Sequence, residues 1–255
     1  RGIDKTVEIL NEFQAFLLSF QITEIAAFTT AALRNAKNSK AAVGEIEQRS
    51  GLKIRVITGD EEAVFDFIGA TRNLPEDSGL LLDIGGGSTE IVTYQQRMIQ
   101  HKISLPMGSL AFRTKYVQGI LPTEAECLVM REKAEAAIQS ARDFELVNEP
   151  FIAGIGGTFK GAAALYNAMF NQPASNNRME VRRLKTIIGT FQQDHGMTQE
   201  MAIMLMRTVP DRINTIIPGL IIADVLARRF QSKFITYSDS GVREGYIYDQ
   251  IIGKK

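Results

Sequence analysis

The chain has 255 residues, 45% hydrophobic and 23% charged, long enough for one large core or two smaller ones, and two domains are expected. Lys and Arg total 29 and Asp and Glu total 29, which excludes the global positive field that draws in nucleic acid, so any anion site has to be local. The longest apolar stretches, residues 25–30 and 201–206, fall far short of the roughly 20 residues of a membrane span, and the lone Cys127 excludes an intrachain disulfide; a cytoplasmic protein without membrane or nucleic-acid partners is expected.

Arg1 is not an initiator Met, and the first residues already read as the middle of a helical segment, so the chain is expected to be a fragment. Ile3, Val7, Leu10, Leu17 and Phe20 recur at helical spacing, and residues 22–30 then switch to a short β-rich run. Residues 39–49 predict a helix with Ser39 as N-cap, Gly51 ends it, and residues 54–58 alternate as a strand. Asp60, Glu61 and Glu62 open a helix to about Arg72, their charges suiting the helix dipole, and Pro75 closes it. Leu80, Leu81, Leu82, Asp83 and Ile84 read as a buried strand, Gly85, Gly86 and Gly87 as its turn, and residues 91–94 and 98–105 as a continuing meander. Thr123 and Glu126 predict a capping box before a helix to about Phe144. A short strand at 151–153 leads into a glycine-rich turn and another helix, helical patterns fill 180–193, 198–207 and 219–230, and a strand at 234–237 precedes a turn and a helix from Val242. Strands alternating with helices predict an α/β fold, and both glycine-rich turns follow strands, where open α/β sheets place their ligands.

The strongest chemical signal is Asp83-Ile84-Gly85-Gly86-Gly87-Ser88-Thr89-Glu90. Consecutive glycines let backbone N–H groups approach a phosphate, and Ser88 and Thr89 add hydroxyl donors. Asp83 and Glu90 converge across the hairpin and suit Mg²⁺ held largely by water and phosphate; the alternative is a plain glycine hairpin with Asp83 bonding turn amides. Gly154-Ile155-Gly156-Gly157-Thr158 offers a second anion surface, or simply helix-capping glycines, and Lys160 either reaches a phosphate or is solvated. The acids of Gly59-Asp60-Glu61-Glu62-Ala63 either cap the helix or supply a carboxylate that orients water. Arg34 is evenly balanced between a bidentate phosphate ligand and a surface residue. Ser238-Asp239-Ser240-Gly241-Val242-Arg243-Glu244-Gly245 is a capped helix, with an Arg243–Glu244 surface pair, or a substrate contact, while His101 and His195 have no partners for a triad or zinc site.

Taken in order, residues 30–36, 59–63, 83–90, 156–158 and 238–245 resemble the exopolyphosphatase / guanosine pentaphosphatase family, of the actin-like, sugar-kinase-like ATPase fold. The resemblance spans residues 26–245. It implies two actin-like, ribonuclease H-like lobes with an interdomain cleft: residues 1–66, incomplete at the N-terminus and open to return of the helix at 241–255, and residues 67–240. It implies Glu62 as the catalytic carboxylate, Asp83 and Glu90 as acids for Mg²⁺ or another divalent cation, and Arg34, Gly85, Gly86, Gly87, Ser88, Thr89, Gly156, Gly157 and Thr158 as phosphate-binding residues. Polyphosphate or guanosine pentaphosphate is the implied substrate, orthophosphate the product and a homodimer the expected assembly. The family's first phosphate loop, Asp-x-Gly-Ser, has no counterpart here, which removes part of the site, and Ser240 stands where the family has glycine. The rival readings are a kinase of the same fold, against which the Glu62 motif argues, a non-catalytic sensor of polyphosphate or guanosine polyphosphates, and an actin-like filament subunit.

Overall fold

Two groups of elements, Arg1–Gly59 and Asp60–Lys255, separate in the computed structural model, which describes residues 1–72, 74, 76–144 and 147–253, without the side chain of His195. Pro75, the expected end of a helix, lies outside the described residues.

In the first unit, α1 (Gly2–Ser19) packs on α3 (Ser39–Ser50), where Gln14 Nε2 donates to the Ser50 carbonyl at 3.0 Å. Val7 is buried on the first helix, and Ala42 and Ile46 on the second. β1 (Ala27–Thr29) and β2 (Ile54–Val56) pair in parallel, with α2 (Ala31–Arg34) and α3 forming the crossover. Gly51, at φ 73°, closes α3 in the left-handed conformation that glycine adopts without steric cost. Ser39 is not the N-cap: Asn38 holds that position and Ser39 is already helical, because no side-chain capping bond selects the serine.

The second unit starts on α4 (Gly59–Thr71) and is organised by a mixed six-stranded sheet. β3 (Gly79–Ile84), β4 (Thr89–Gln95) and β5 (Met98–Leu105) form the antiparallel meander. A short helix, α5 (Ser109–Tyr116), follows, then α6 (Glu124–Gln139), whose Thr123–Glu126 capping box is formed in both directions. That helix stops at Gln139, and Arg142–Phe144 make a separate 3₁₀ turn instead of extending it. β6 (Phe151–Ile155), α7 (Gly156–Met169), the edge strand β7 (Arg178–Glu180) and α8 (Val181–Thr190) come next. α9 (Gln199–Thr208), α10 (Ile216–Arg229), β8 (Phe234–Tyr237) and α11 (Val242–Tyr246) complete the unit, with a π-helical turn at Ile247–Ile252.

Strand order is β5-β4-β3-β6-β8-β7, with β3, β6 and β8 mutually parallel. Three parallel strands end on one edge of the sheet, so the turns that follow them are neighbours. The core lies under that sheet. α10 is buried along Ile216–Ala227, and its one buried acid, Asp224, is held by Arg131 and by Arg228 at 2.9 Å. On the other side α11 crosses α4 at backbone contact: a Cβ on Gly245 would fall 1.7 Å from the Phe65 carbonyl oxygen, and one on Gly69 would fall 2.2 Å from that of Gly241. Only glycine fits such a crossing.

Candidate functional site

The parallel order of β3, β6 and β8 brings together three motifs that lie far apart in the chain. Gly85–Ser88 follows β3, Gly156 follows β6, and Ser238–Gly241 follows β8, all at the carboxyl ends of their strands. The Ser238 N–H donates to the Gly154 carbonyl at 2.9 Å, tying the third turn to the second.

The first turn is held by its carbonyls. Gly85 N–H donates to Ser88 O at 3.0 Å, Ser109 N–H and Oγ donate to Gly85 O at 2.9 and 3.1 Å, and Ala111 N–H donates to Gly86 O at 2.8 Å. The N-terminus of α5 therefore fixes the loop from behind, and among the described residues no acceptor takes the N–H groups of Gly86 and Gly87. Gly108 is part of this device, since a Cβ there would lie 2.6 Å from both Gly86 O and Gly87 N. The expected hydroxyl donors divide. Thr89 Oγ1 donates to the Met107 carbonyl at 2.7 Å and Thr158 Oγ1 to the Ile84 carbonyl at 2.6 Å, both buried, so these two hydroxyls already hold backbone carbonyls.

Asp83 and Glu90 are register partners across the β3–β4 hairpin, which places their side chains side by side on one face. Glu90 is buried and its Oε1 accepts from Ser104 Oγ at 2.7 Å. Asp83 keeps a strip of exposed surface although protein surrounds it. Burial first, then the Glu90 and Glu62 carboxylates, push Asp83 well above the ordinary carboxylate range, and Arg212 draws it partly back. Gly156 closes against it at φ 79°, where a Cβ would lie 2.5 Å from Asp83 Oδ1.

The three acids opening α4 have different fates. Asp60 is exposed and pairs with Lys102 at 3.3 Å, whereas Glu62 is only 6% exposed and lies within electrostatic reach of Asp83. A capping acid has no reason to be buried beside two carboxylates. One turn further, Asp66 is fully buried in the same group, and burial, Asp83, Glu90 and Glu62, in that order, raise it well above its ordinary value.

Two residues of this edge have no counterpart among the sequence candidates. Arg212, on the 3₁₀ turn Pro210–Arg212, lays its guanidinium over Gly157, where a Cβ would meet Nη2 at 1.9 Å, and no hydrogen-bond acceptor among the described residues takes it. Asp66 is the other, four residues after Glu62 and so on the same helical face, a spacing visible in the sequence. Arg34 belongs to the first unit, where its Nη1 donates to the Ile57 carbonyl at 3.1 Å. Lys160 and His101 are exposed, and Glu244 accepts from the Gly241 N–H at 2.9 Å, capping α11. No three His, Cys, Asp or Glu side chains among the described residues stand at direct metal-ligand spacing, and Cys127 is buried and free. The oxygens available here are hard carboxylate donors, and both Asp66 oxygens lack a hydrogen-bond partner; this fits a cation of the Mg²⁺ type.

Amides at strand ends beside buried carboxylates define an α/β protein that handles phosphate groups. The sequence profile of the Ppx/GppA phosphatase family matches residues 1–252, and the chain belongs to that family. Exopolyphosphatase 1 of Mycobacterium tuberculosis is 25% identical over 253 residues, covering 97% of this chain and 73% of that protein. The guanosine-5'-triphosphate,3'-diphosphate pyrophosphatase of Pseudoalteromonas atlantica is 28% identical over 143 residues, 56% of this chain and 28% of that one. The crystal structure of the Aquifex aeolicus Ppx/GppA family member has the same fold, with TM-score 0.76 and 24% identity over 99% of this chain and 82% of that one. The enzyme class expected from the sequence, a phosphate-releasing hydrolase, is that of the family.

Proposed function

We propose that this protein hydrolyses the terminal phosphoanhydride of inorganic polyphosphate or guanosine pentaphosphate, with Glu62 orienting the attacking water. The observation that carries this reading is the burial of Glu62 within electrostatic reach of Asp83, whose strand end neighbours the glycine turn after β6. The amides of Gly86 and Gly87 receive oxygens of the terminal phosphoryl group, and Arg212, beside Gly157, supplies a guanidinium for developing negative charge. The water oxygen bonds to phosphorus while Glu62 accepts the water's proton, the bridging P–O bond breaks with its electron pair staying on the oxygen of the shortened chain or nucleotide, and orthophosphate is released. Asp83 and Glu90 would hold Mg²⁺, which when bound neutralises phosphate charge. The names of relatives support both substrates. The phosphate-binding role of Arg34, the division into lobes at residue 66 and a homodimer belong to this proposal on the sequence resemblance.

The test is phosphate release from polyphosphate and guanosine pentaphosphate in parallel, with and without Mg²⁺, beside Glu62→Gln. Metal-dependent release that drops by about 10²–10⁴-fold in the variant is expected for loss of a general base. Release that survives the substitution sinks the role of Glu62, and none from either substrate by the folded natural protein sinks the hydrolase.

A further inference from the structure

Asp66 has no place in the reaction described above, yet it is an acid buried in the second unit. It is 0% exposed, and neither carboxylate oxygen has a hydrogen-bond partner; the Val242 amide draws on it without making a bond of normal geometry. A carboxylate left ionised and alone in such a place strongly opposes folding. An aliphatic side chain would fill the same place beside Gly241 without that burden.

Its surroundings say what it waits for. Asp66 projects from the same face of α4 as Glu62, one turn deeper. The charges that act on it are those of Asp83, Glu90 and Glu62, in that order, with no basic group among them. Asp83 and Glu90 arrive from the β3–β4 hairpin, and Gly241, whose Cβ would stand 3.4 Å from Asp66 Oδ1, closes the group from the β8 turn. An unpartnered buried carboxylate thus lies among acids from three different elements, and Arg212, which acts on Asp83, offsets only part of their charge.

We propose that Asp66 is a third carboxylate of the cation site it forms with Asp83 and Glu90, and that it lets the protein hold a divalent cation before any phosphate arrives. Mg²⁺ sites with one or two carboxylates complete their shell with substrate phosphates, so the metal and the phosphates come together. A third carboxylate supplies the missing negative charge from the protein, and affinity for hard cations rises with ligand charge. The carboxylates are too widely spaced for three direct bonds, so the ion keeps water between itself and part of the set, as Mg²⁺ does readily. The inference rests on the cation role given to Asp83 and Glu90 above and extends it to the substrate-free state.

The experiment uses Mn²⁺ as probe, in phosphate-free buffer, with free Mn²⁺ counted by electron paramagnetic resonance. The natural chain is expected to bind one Mn²⁺ without substrate, and Asp66→Asn to bind at least tenfold more weakly while its cation-free unfolding midpoint is no lower. No substrate-free binding, or a variant within threefold of the natural chain, overturns the proposal. As a second measurement, Fe²⁺ with ascorbate and peroxide should cut the natural backbone near residue 66 as well as near residues 83–90, with Mg²⁺ protecting both. Cuts that spare residue 66 overturn it even if the variant does not fold. A chain that binds Mn²⁺ through Asp66 but releases no phosphate sinks the hydrolase alone; one that hydrolyses but takes Mn²⁺ only with phosphate sinks this proposal alone.

Discussion

Replacing Gly156 by Ala perturbs the site through one atom. Two costs follow from the structure. At φ 79° an alanine is held in the left-handed region, at about 1–2 kcal/mol. Its Cβ would stand 2.5 Å from Asp83 Oδ1 and 3.2 Å from Cγ, so the carboxylate must move into a neighbourhood already filled by Glu90 and Glu62, and such overpacking costs about 1–3 kcal/mol. Stiffening the unfolded chain returns roughly 0.4–1 kcal/mol, which leaves a net loss of about 1–5 kcal/mol and, at ~2–4 °C per kcal/mol for a chain of this size, a melting temperature lower by about 2–20 °C. Urea unfolding followed by circular dichroism measures it, with the slope on denaturant unchanged. The same substitution on an Asp83→Ala background separates the two costs, because only the backbone strain remains there. An undiminished penalty on that background would refute the contact, and a natural-like stability of Gly156→Ala would refute both arguments.

Asp66 and Asp83 titrate above their unfolded values, so between about pH 4 and their raised folded values the folded chain binds more protons than the unfolded one. Stability of the cation-free protein should then fall as pH rises, by at most about 1.4 kcal/mol per pH unit for each extra proton; urea midpoints that are equal or higher at pH 8 than at pH 5 contradict this. Asp4 and Glu180, lowered by their basic partners, pull the other way only below about pH 4, outside that window. Thr123→Ala removes a hydroxyl that accepts from Glu126 N–H at 3.2 Å and should cost about 1 kcal/mol in urea unfolding, with Thr123→Asp within a few tenths of the natural chain.

What the sequence shows depends on whether a residue's neighbours in space are also its neighbours in the chain. The apolar run of β3, the αL glycine at 51 and the Thr123–Glu126 box are local devices, and they stand where their patterns put them. The edge strand β7 has three residues and no alternation to detect, and α5 buries only Ser109 and Phe112, too little apolar surface for a helical stripe. The helix read as far as Phe144 stops at Gln139, where Ser140 turns both its N–H and its hydroxyl back on the Ala137 carbonyl at 3.3 and 2.7 Å, a local competition with the helical bond that the apolar spacing does not show. At the site, Asp83 and Glu90 were legible because a hairpin of known register separates them. Arg212 was not: it reaches Gly157 from more than fifty residues away, and an arginine after Pro-Asp reads as surface. Asp66 was hidden for a different reason, since a charged residue in a helix is read as solvated until the opposite strand is in place.

The arrangement of charge explains why these motifs share one edge. Glu62, Asp66, Asp83 and Glu90 come from a helix and a hairpin, and bringing them together opposes folding, because burial and mutual repulsion both act against it. Nothing in the hydrophobic core requires the cost; Leu80, Leu82 and Ile84 would hold β3 in the sheet with any residue at 83. The cost becomes useful only when a cation and a phosphate arrive together at amides that are already fixed, since the ligand then meets unsatisfied charge and donors that need no rearrangement. Binding should therefore stabilise this end of the second unit more than any other, and the gain should shrink when Asp66 is neutralised, since part of the strain that the ligand relieves would no longer be there.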